Sequence, residues 1–60
     1  MSGVVIALFN MEIGSGKYLA GKEYDYLLDD KGYHVTGENN TKMLFRLSEF
    51  NTFFKIEKTF

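Results

Sequence analysis

The sequence predicts an all-β domain, a small barrel of five strands that carries one short helical turn. Three observations predict it. Valine, isoleucine, tyrosine and phenylalanine make up most of the apolar residues, and these types suit a pleated, half-buried backbone. Turn residues recur at short intervals, at Gly14-Ser15-Gly16, Asp29-Asp30-Lys31-Gly32 and Glu38-Asn39-Asn40. Between the turns, apolar and polar side chains alternate with the period of a strand.

The first strand is read from Val4 to about Ile13. It is apolar on both faces until Asn10, so it needs cover on both sides or a partner on one. Gly14-Ser15-Gly16 breaks it, and a loop follows through Lys17 to Gly21, which leaves Tyr18 the most exposed tyrosine. From Lys22 to Asp29 the pattern alternates strictly, with Tyr24, Tyr26 and Leu28 on one face and Glu23, Asp25 and Leu27 on the other. Asp29 to Gly32 is a tight turn, because aspartate can accept a bond from the backbone two residues on and glycine accepts the left-handed conformation. Tyr33 and Val35 continue inward on the returning strand, while His34, Thr36 and Glu38 face solvent. Asparagine tolerates positive φ, so Glu38-Asn39-Asn40 is the next turn and the Asn39-Asn40-Thr41 sequon has no further meaning. Thr41 to Leu47 makes a strand with Met43, Phe45 and Leu47 inward and Lys42, Leu44 and Arg46 outward. Ser48 is read as an N-cap, and Phe50 and Phe54 follow Leu47 at spacings of three and four, which fits helical turns over Ser48 to Phe53. A short strand from about Phe54 to Lys58, with Ile56 inward, closes the sheet. This order of strand, long loop, two hairpins, helical turn and final strand suits an SH3-like barrel. An OB-like barrel is the alternative, although it usually needs a longer chain.

Sixty residues make a single domain, 1–60, near the lower limit of independent folding, where only about 60% of the unfolded surface is buried. A hydrophobic content of 45%, with 17% aromatic, excludes a disordered tail. No cysteine is present, which excludes disulfides and thiolate metal sites. The net charge of −1, with scattered lysines, does not describe a phosphate-binding surface. The apolar run Val4 to Phe9 lacks a basic leader and is too short for a signal peptide or a membrane helix. A soluble, cytoplasmic protein without membrane attachment is expected.

The stretches GKEYDYLLDDKGYHV and MLFRLSEFNTFF resemble the short SH3-like proteins encoded by phages and other mobile elements of Gram-positive bacteria. The elements of the resemblance are Gly21-Lys22, Tyr24 with Tyr26, Asp29 to Gly32, Tyr33 to Val35, Glu49-Phe50 and Phe53-Phe54, and it covers Lys17 to Ile56. It implies the fold, a phage or mobile-element origin, and a small protein that binds and redirects or inhibits a host protein inside the bacterial cell.

Catalytic chemistry finds little to use. Gly14-Ser15-Gly16-Lys17 is a fragment of a phosphate loop, but Met11 stands where the first glycine belongs and Tyr18 follows the lysine. Asp25, Asp29 and Asp30 fall short of a calcium loop, which needs more oxygen ligands in a fixed order. His34 has no cysteine to pair with and no serine in a nucleophile elbow. So short a chain also offers little scaffold for a preorganised site. Neither enzymatic activity nor a cofactor nor a metal is expected. Tyr18, Tyr24, Tyr26 and Tyr33 could line an aromatic groove, but alternation favours the last three as core and cross-strand residues with hydroxyls at the rim.

The inward positions are Val5, Ala7, Phe9, Tyr24, Tyr26, Leu28, Tyr33, Val35, Met43, Phe45, Leu47, Phe50, Phe54 and Ile56, and they already fill a small interior. Val4, Ile6, Leu8, Leu27, Leu44, Phe53 and Phe60 are left over, and several apolar residues on one wall mark a contact site. The expected protein interface is therefore Val4, Ile6, Leu8, Tyr18, Leu27, Leu44 and Phe53. The leading expectation is a non-enzymatic module that binds a host protein, with homo-oligomerisation an option. A small barrel that binds nucleic acid through Lys22, Lys42, Arg46 and tyrosines, and a structural component of a larger assembly, are the alternatives.

Overall fold

A computed structural model describes all residues, Met1–Phe60. Its main element is a five-stranded antiparallel sheet in the order β6-β5-β4-β1-β7, beside a two-stranded hairpin of β2 and β3. The strands are β1 (Ser2–Ala7), β2 (Met11–Ile13), β3 (Gly16–Tyr18), β4 (Glu23–Asp29), β5 (Gly32–Thr36), β6 (Lys42–Phe45) and β7 (Phe54–Thr59). A 3₁₀ turn, Glu38–Asn40, precedes β6, and the helix α1 (Leu47–Phe53) joins β6 to β7. No helix is long and apolar enough to cross a membrane.

The expected closure into a five-stranded barrel is not made by hydrogen bonds, since β6 and β7 remain the two edges of the sheet. The sheet nevertheless curls strongly. Edge strands of a flat five-stranded sheet lie about 19 Å apart, whereas the rings of Phe45 on β6 and Phe54 on β7 have centroids 5.2 Å apart. The helix between these strands fills the gap that direct pairing would have closed, with Phe50 as its one buried residue.

The first strand ends earlier than its apolar run suggests. At Ala7 the backbone turns to the following loop, donating to the Lys22 carbonyl at 3.1 Å and accepting from Gly21 at 2.8 Å. The N–H of Leu8 then bonds the Phe53 carbonyl at 2.9 Å. Asn10 fixes the corner by accepting from the Ala20 N–H at 2.8 Å. From Met11 to Tyr18 the chain forms a hairpin rather than an open loop, with Met11 opposite Tyr18, Glu12 opposite Lys17, and Gly14 at φ +58° in the turn. Gly14-Ser15-Gly16-Lys17 is thus a hairpin turn.

The second hairpin follows its sequence closely. Asp29 accepts from the Lys31 N–H at 2.9 Å through Oδ1, and Gly32 closes the turn at φ +136°. Asn39 and Asn40 take φ of 60° and 58°. The cap of α1 is Arg46, whose N–H donates to Glu49 Oε1 at 2.9 Å, so Ser48 lies inside the first turn instead of capping it.

The core consists of Val5, Ala7, Tyr18, Tyr24, Tyr26, Val35, Phe45, Phe50 and Phe54. Each buried tyrosine finds a partner for its hydroxyl, as an apolar interior requires. Tyr18 donates to the Val35 carbonyl at 2.8 Å, Tyr24 donates to Glu38 at 2.7 Å, and Tyr26 lies 3.1 Å from Thr59 Oγ1. Three residues expected inside are instead exposed, namely Phe9, Leu47 and Ile56. Phe9 lies in the bend after β1, so strand alternation does not apply to it. Leu47 opens the helix instead of ending a strand. Ile56 lies on edge strand β7 opposite buried Val5, and of that strand only Phe54 is buried. Leu28, Tyr33 and Met43 are half-buried.

Candidate interaction face

One side of the curled sheet encloses the core and the other is uncovered. Alternation along β1 sends Val5 and Ala7 inward and Val4 and Ile6 outward. On β4 it sends Tyr24 and Tyr26 inward and Glu23, Asp25 and Leu27 outward. Register then assembles the outer face. Leu27 pairs with Ser2 on one side and with His34 on the other, and His34 pairs with Leu44. Val4 lies between Asp25 and Lys58, and Ile6 between Glu23 and Lys55.

Of the residues expected at an interface, this face brings together Val4, Ile6, Leu27 and Leu44. Leu27 and Leu44 are 47% and 52% exposed, while the flanking charged side chains leave Val4 and Ile6 half-buried. Leu8 and Phe53 lie elsewhere, joined by their backbone bond at the end of β1. Tyr18 has to be removed from the set, because its side chain is fully buried. Its ring meets Tyr24, Phe45 and Phe54 edge-on at centroid distances of 5.3, 5.9 and 5.3 Å. Two glycines make room for it. A Cβ on Gly16 would lie 3.1 Å from the Tyr18 ring, and one on Gly37 would lie 2.7 Å from it. Burial, and then the neighbouring Tyr24, push the Tyr18 phenol up to about 12.

Two open clefts cut into the outer face. One, of about 410 Å³, is lined by Asp25, Leu27, Asp29, His34, Thr36 and Lys42. In it His34 Nε2 lies 2.9 Å from Asp29 Oδ2, and this contact with the Lys31 N–H holds the Asp29 carboxyl below its ordinary range. The other, of about 450 Å³, includes Val4, Tyr24, Glu38 and Asn39. There Lys22 approaches Glu38 to 2.7 Å, and Lys22 and the Tyr24 hydroxyl together lower the Glu38 pKa. No three His, Asp or Glu side chains converge to hold a metal ion.

One pair on this face is set against itself. A proton held between Glu23 and Glu57, and the repulsion between the two carboxylates when it is lost, raise the Glu23 pKa. A carboxyl whose folded pKa is raised favours the fold below its unfolded pKa of about 4.3, and that contribution is lost as pH rises through the folded value. Glu23→Gln is therefore expected to raise the melting temperature at pH 7 and to lose that advantage below about pH 4. Thermal melts by circular dichroism at the two pH values check this; an equal shift at both would show that the like-charge pair is not the cause.

Sequence reasoning anticipated the apolar members of the face and missed its charges, because Asp25 with Lys58 and Glu23 with Lys55 become related only through the strand register. Comparison with protein-family models, with curated proteins and with solved structures finds no match to this chain.

Proposed function

We propose that this chain is a non-enzymatic protein-binding module that meets its partner through the outer face of the sheet. A single observation carries the reading: Val4, Ile6, Leu27 and Leu44 share one face of the sheet, with Leu27 and Leu44 exposed and Val4 and Ile6 half-buried. Apolar side chains grouped on one surface favour protein contact, and burying one such residue contributes about 1.5–3 kcal/mol. The strand order, the hairpin between β1 and β4, and the helical turn before β7 support reading the curled sheet as an SH3-like barrel. The resemblance from Lys17 to Ile56 supports a phage or mobile-element protein whose partner is a host bacterial protein, met in the host cytoplasm and modulated or inhibited by the contact. Glu23, Asp25, Asp29 and Glu57 weigh against phosphate as the ligand.

Affinity capture from bacterial lysate tests the reading. Leu44→Asp and Leu27→Asp are expected to keep the wild-type circular dichroism spectrum, since both side chains already face solvent, and to lose the protein that the wild type retains. Folded variants that keep every captured protein would remove the outer face as the site of contact.

A further inference from the structure

We infer that the outer face of β1, with the charges that flank it, docks on the same face of a second copy of this chain. The inference rests on the outer face being an interaction surface, and it names an occupant for that surface.

The register carries it. Asp25, Val4 and Lys58 form one rung across β4, β1 and β7, and Glu23, Ile6 and Lys55 form another. Each rung reads acid, apolar, base. A twofold axis laid along β1, between two stacked sheets, preserves position along the strand and exchanges the β4 side for the β7 side. Val4 and Ile6 then meet their own counterparts. Asp25 faces Lys58 and Glu23 faces Lys55 of the second copy, and each contact occurs twice, as an isologous interface requires. Sheets stack about 10 Å apart, a gap that these long side chains span.

Two further observations favour this occupant. None of the four charges makes an ion pair within the chain, whose ion pairs are Lys22–Glu38 and His34–Asp29; Glu23 has Glu57 as its near neighbour, and the Lys58 ammonium lies 6.0 Å from the centre of the Phe60 ring. Two acids on these strands lie outside the rungs: Asp29, which contacts His34, and Glu57, next to the bulge in the β1–β7 register, where it crowds Glu23. A lysine arriving from the second copy neutralises that crowded pair. Pairing of two β7 edges is disfavoured by comparison, because an antiparallel match of Ile56 with Glu57 sets Lys55 opposite Lys58, and like charges directly opposite destabilise a sheet. The three-strand wall measures only about 14 by 17 Å, less than half the ~800 Å² per partner of a stable interface. The dimer is therefore a weak one, with Kd of about 0.1–1 mM.

Sedimentation equilibrium between about 10 µM and about 1 mM tests it. The wild-type mass is expected to climb from 6.9 kDa toward twice that value. Asp25→Lys and Lys58→Glu, each alone, place like charges at both contacts and are expected to weaken association by at least about tenfold. An equimolar mixture of the two restores opposite charges at both contacts and recovers the wild-type mass curve, as does the double variant. Association of either single variant as strong as wild type, or a mixture that stays monomeric, overturns the inference. A wild type that stays monomeric throughout also overturns it, yet leaves the outer face as a site for other proteins, because that reading is decided by capture with Leu44→Asp, which lies outside the three-strand wall.

Discussion

Tyr18→Ala is expected to remove at least about a third of the chain's stability at 25 °C. A large aromatic truncated in a core costs about 3–5 kcal/mol, and a domain of this size has a total stability of only about 3–9 kcal/mol. Tyr18 is an unusually costly residue to lose. Its fully buried ring is a packing partner for aromatics on β4, β6 and β7, so it ties both edges of the open sheet to the centre. The hydroxyl adds a second contribution through the Val35 carbonyl. Tyr18→Phe keeps the ring and leaves that carbonyl short of a donor, which costs about 1–2 kcal/mol and lowers Tm by roughly 8–15 °C. Urea denaturation followed by circular dichroism separates the two. A cooperative, wild-type-like transition in Tyr18→Ala would place the tyrosine at the surface, where the sequence alone had put it.

Phe50→Ala is the other large loss, again about 3–5 kcal/mol. Phe50 is the buried residue of α1, and its ring stacks on Tyr33 with centroids 3.9 Å apart and planes 13° from parallel. It also contacts Tyr26 and Phe54. A helix of seven residues does not hold itself together in water, so removing this ring frees α1 and loosens the connection that carries the chain from β6 to β7. Phe50→Leu refills part of the space and is expected to keep a cooperative transition at reduced stability. The same urea titration checks both variants; an unchanged midpoint for Phe50→Ala would mean that α1 does not seal the sheet.

The contrast between these residues shows where the sequence was legible. The helix was foreseen on spacing that the structure honours only at Phe50, since Leu47 is exposed and Phe54 begins β7, and its start was displaced because the cap uses the Arg46 backbone and Glu49. The β4–β5 hairpin was readable because its determinants are local: strict alternation, an aspartate bonding two residues on, and Gly32 at positive φ. Tyr18 was not readable. Its burial depends on two glycines that leave space for the ring and on a carbonyl from another hairpin. Gly3 is a similar case, since a Cβ there would collide with the Lys58 carbonyl and the Tyr26 ring, a constraint set by the β1–β7 bulge. The outer face divides the same way. Alternation within strands found Val4, Ile6, Leu27 and Leu44, whereas the acid–apolar–base rungs exist only once three strands distant in sequence are placed side by side.

Above all, the chain seals its core on one side of the sheet and leaves Leu27 and Leu44 open to solvent, among charged side chains, on the other. Solvent paramagnetic relaxation of assigned methyl groups, measured on a dilute sample of monomer mass, tests this most directly. Leu27 and Leu44 methyls should relax strongly, Val4 and Ile6 to an intermediate degree, and Val5 and Val35 should be protected. Leu27 and Leu44 as protected as Val35 in that monomer would contradict that exposure.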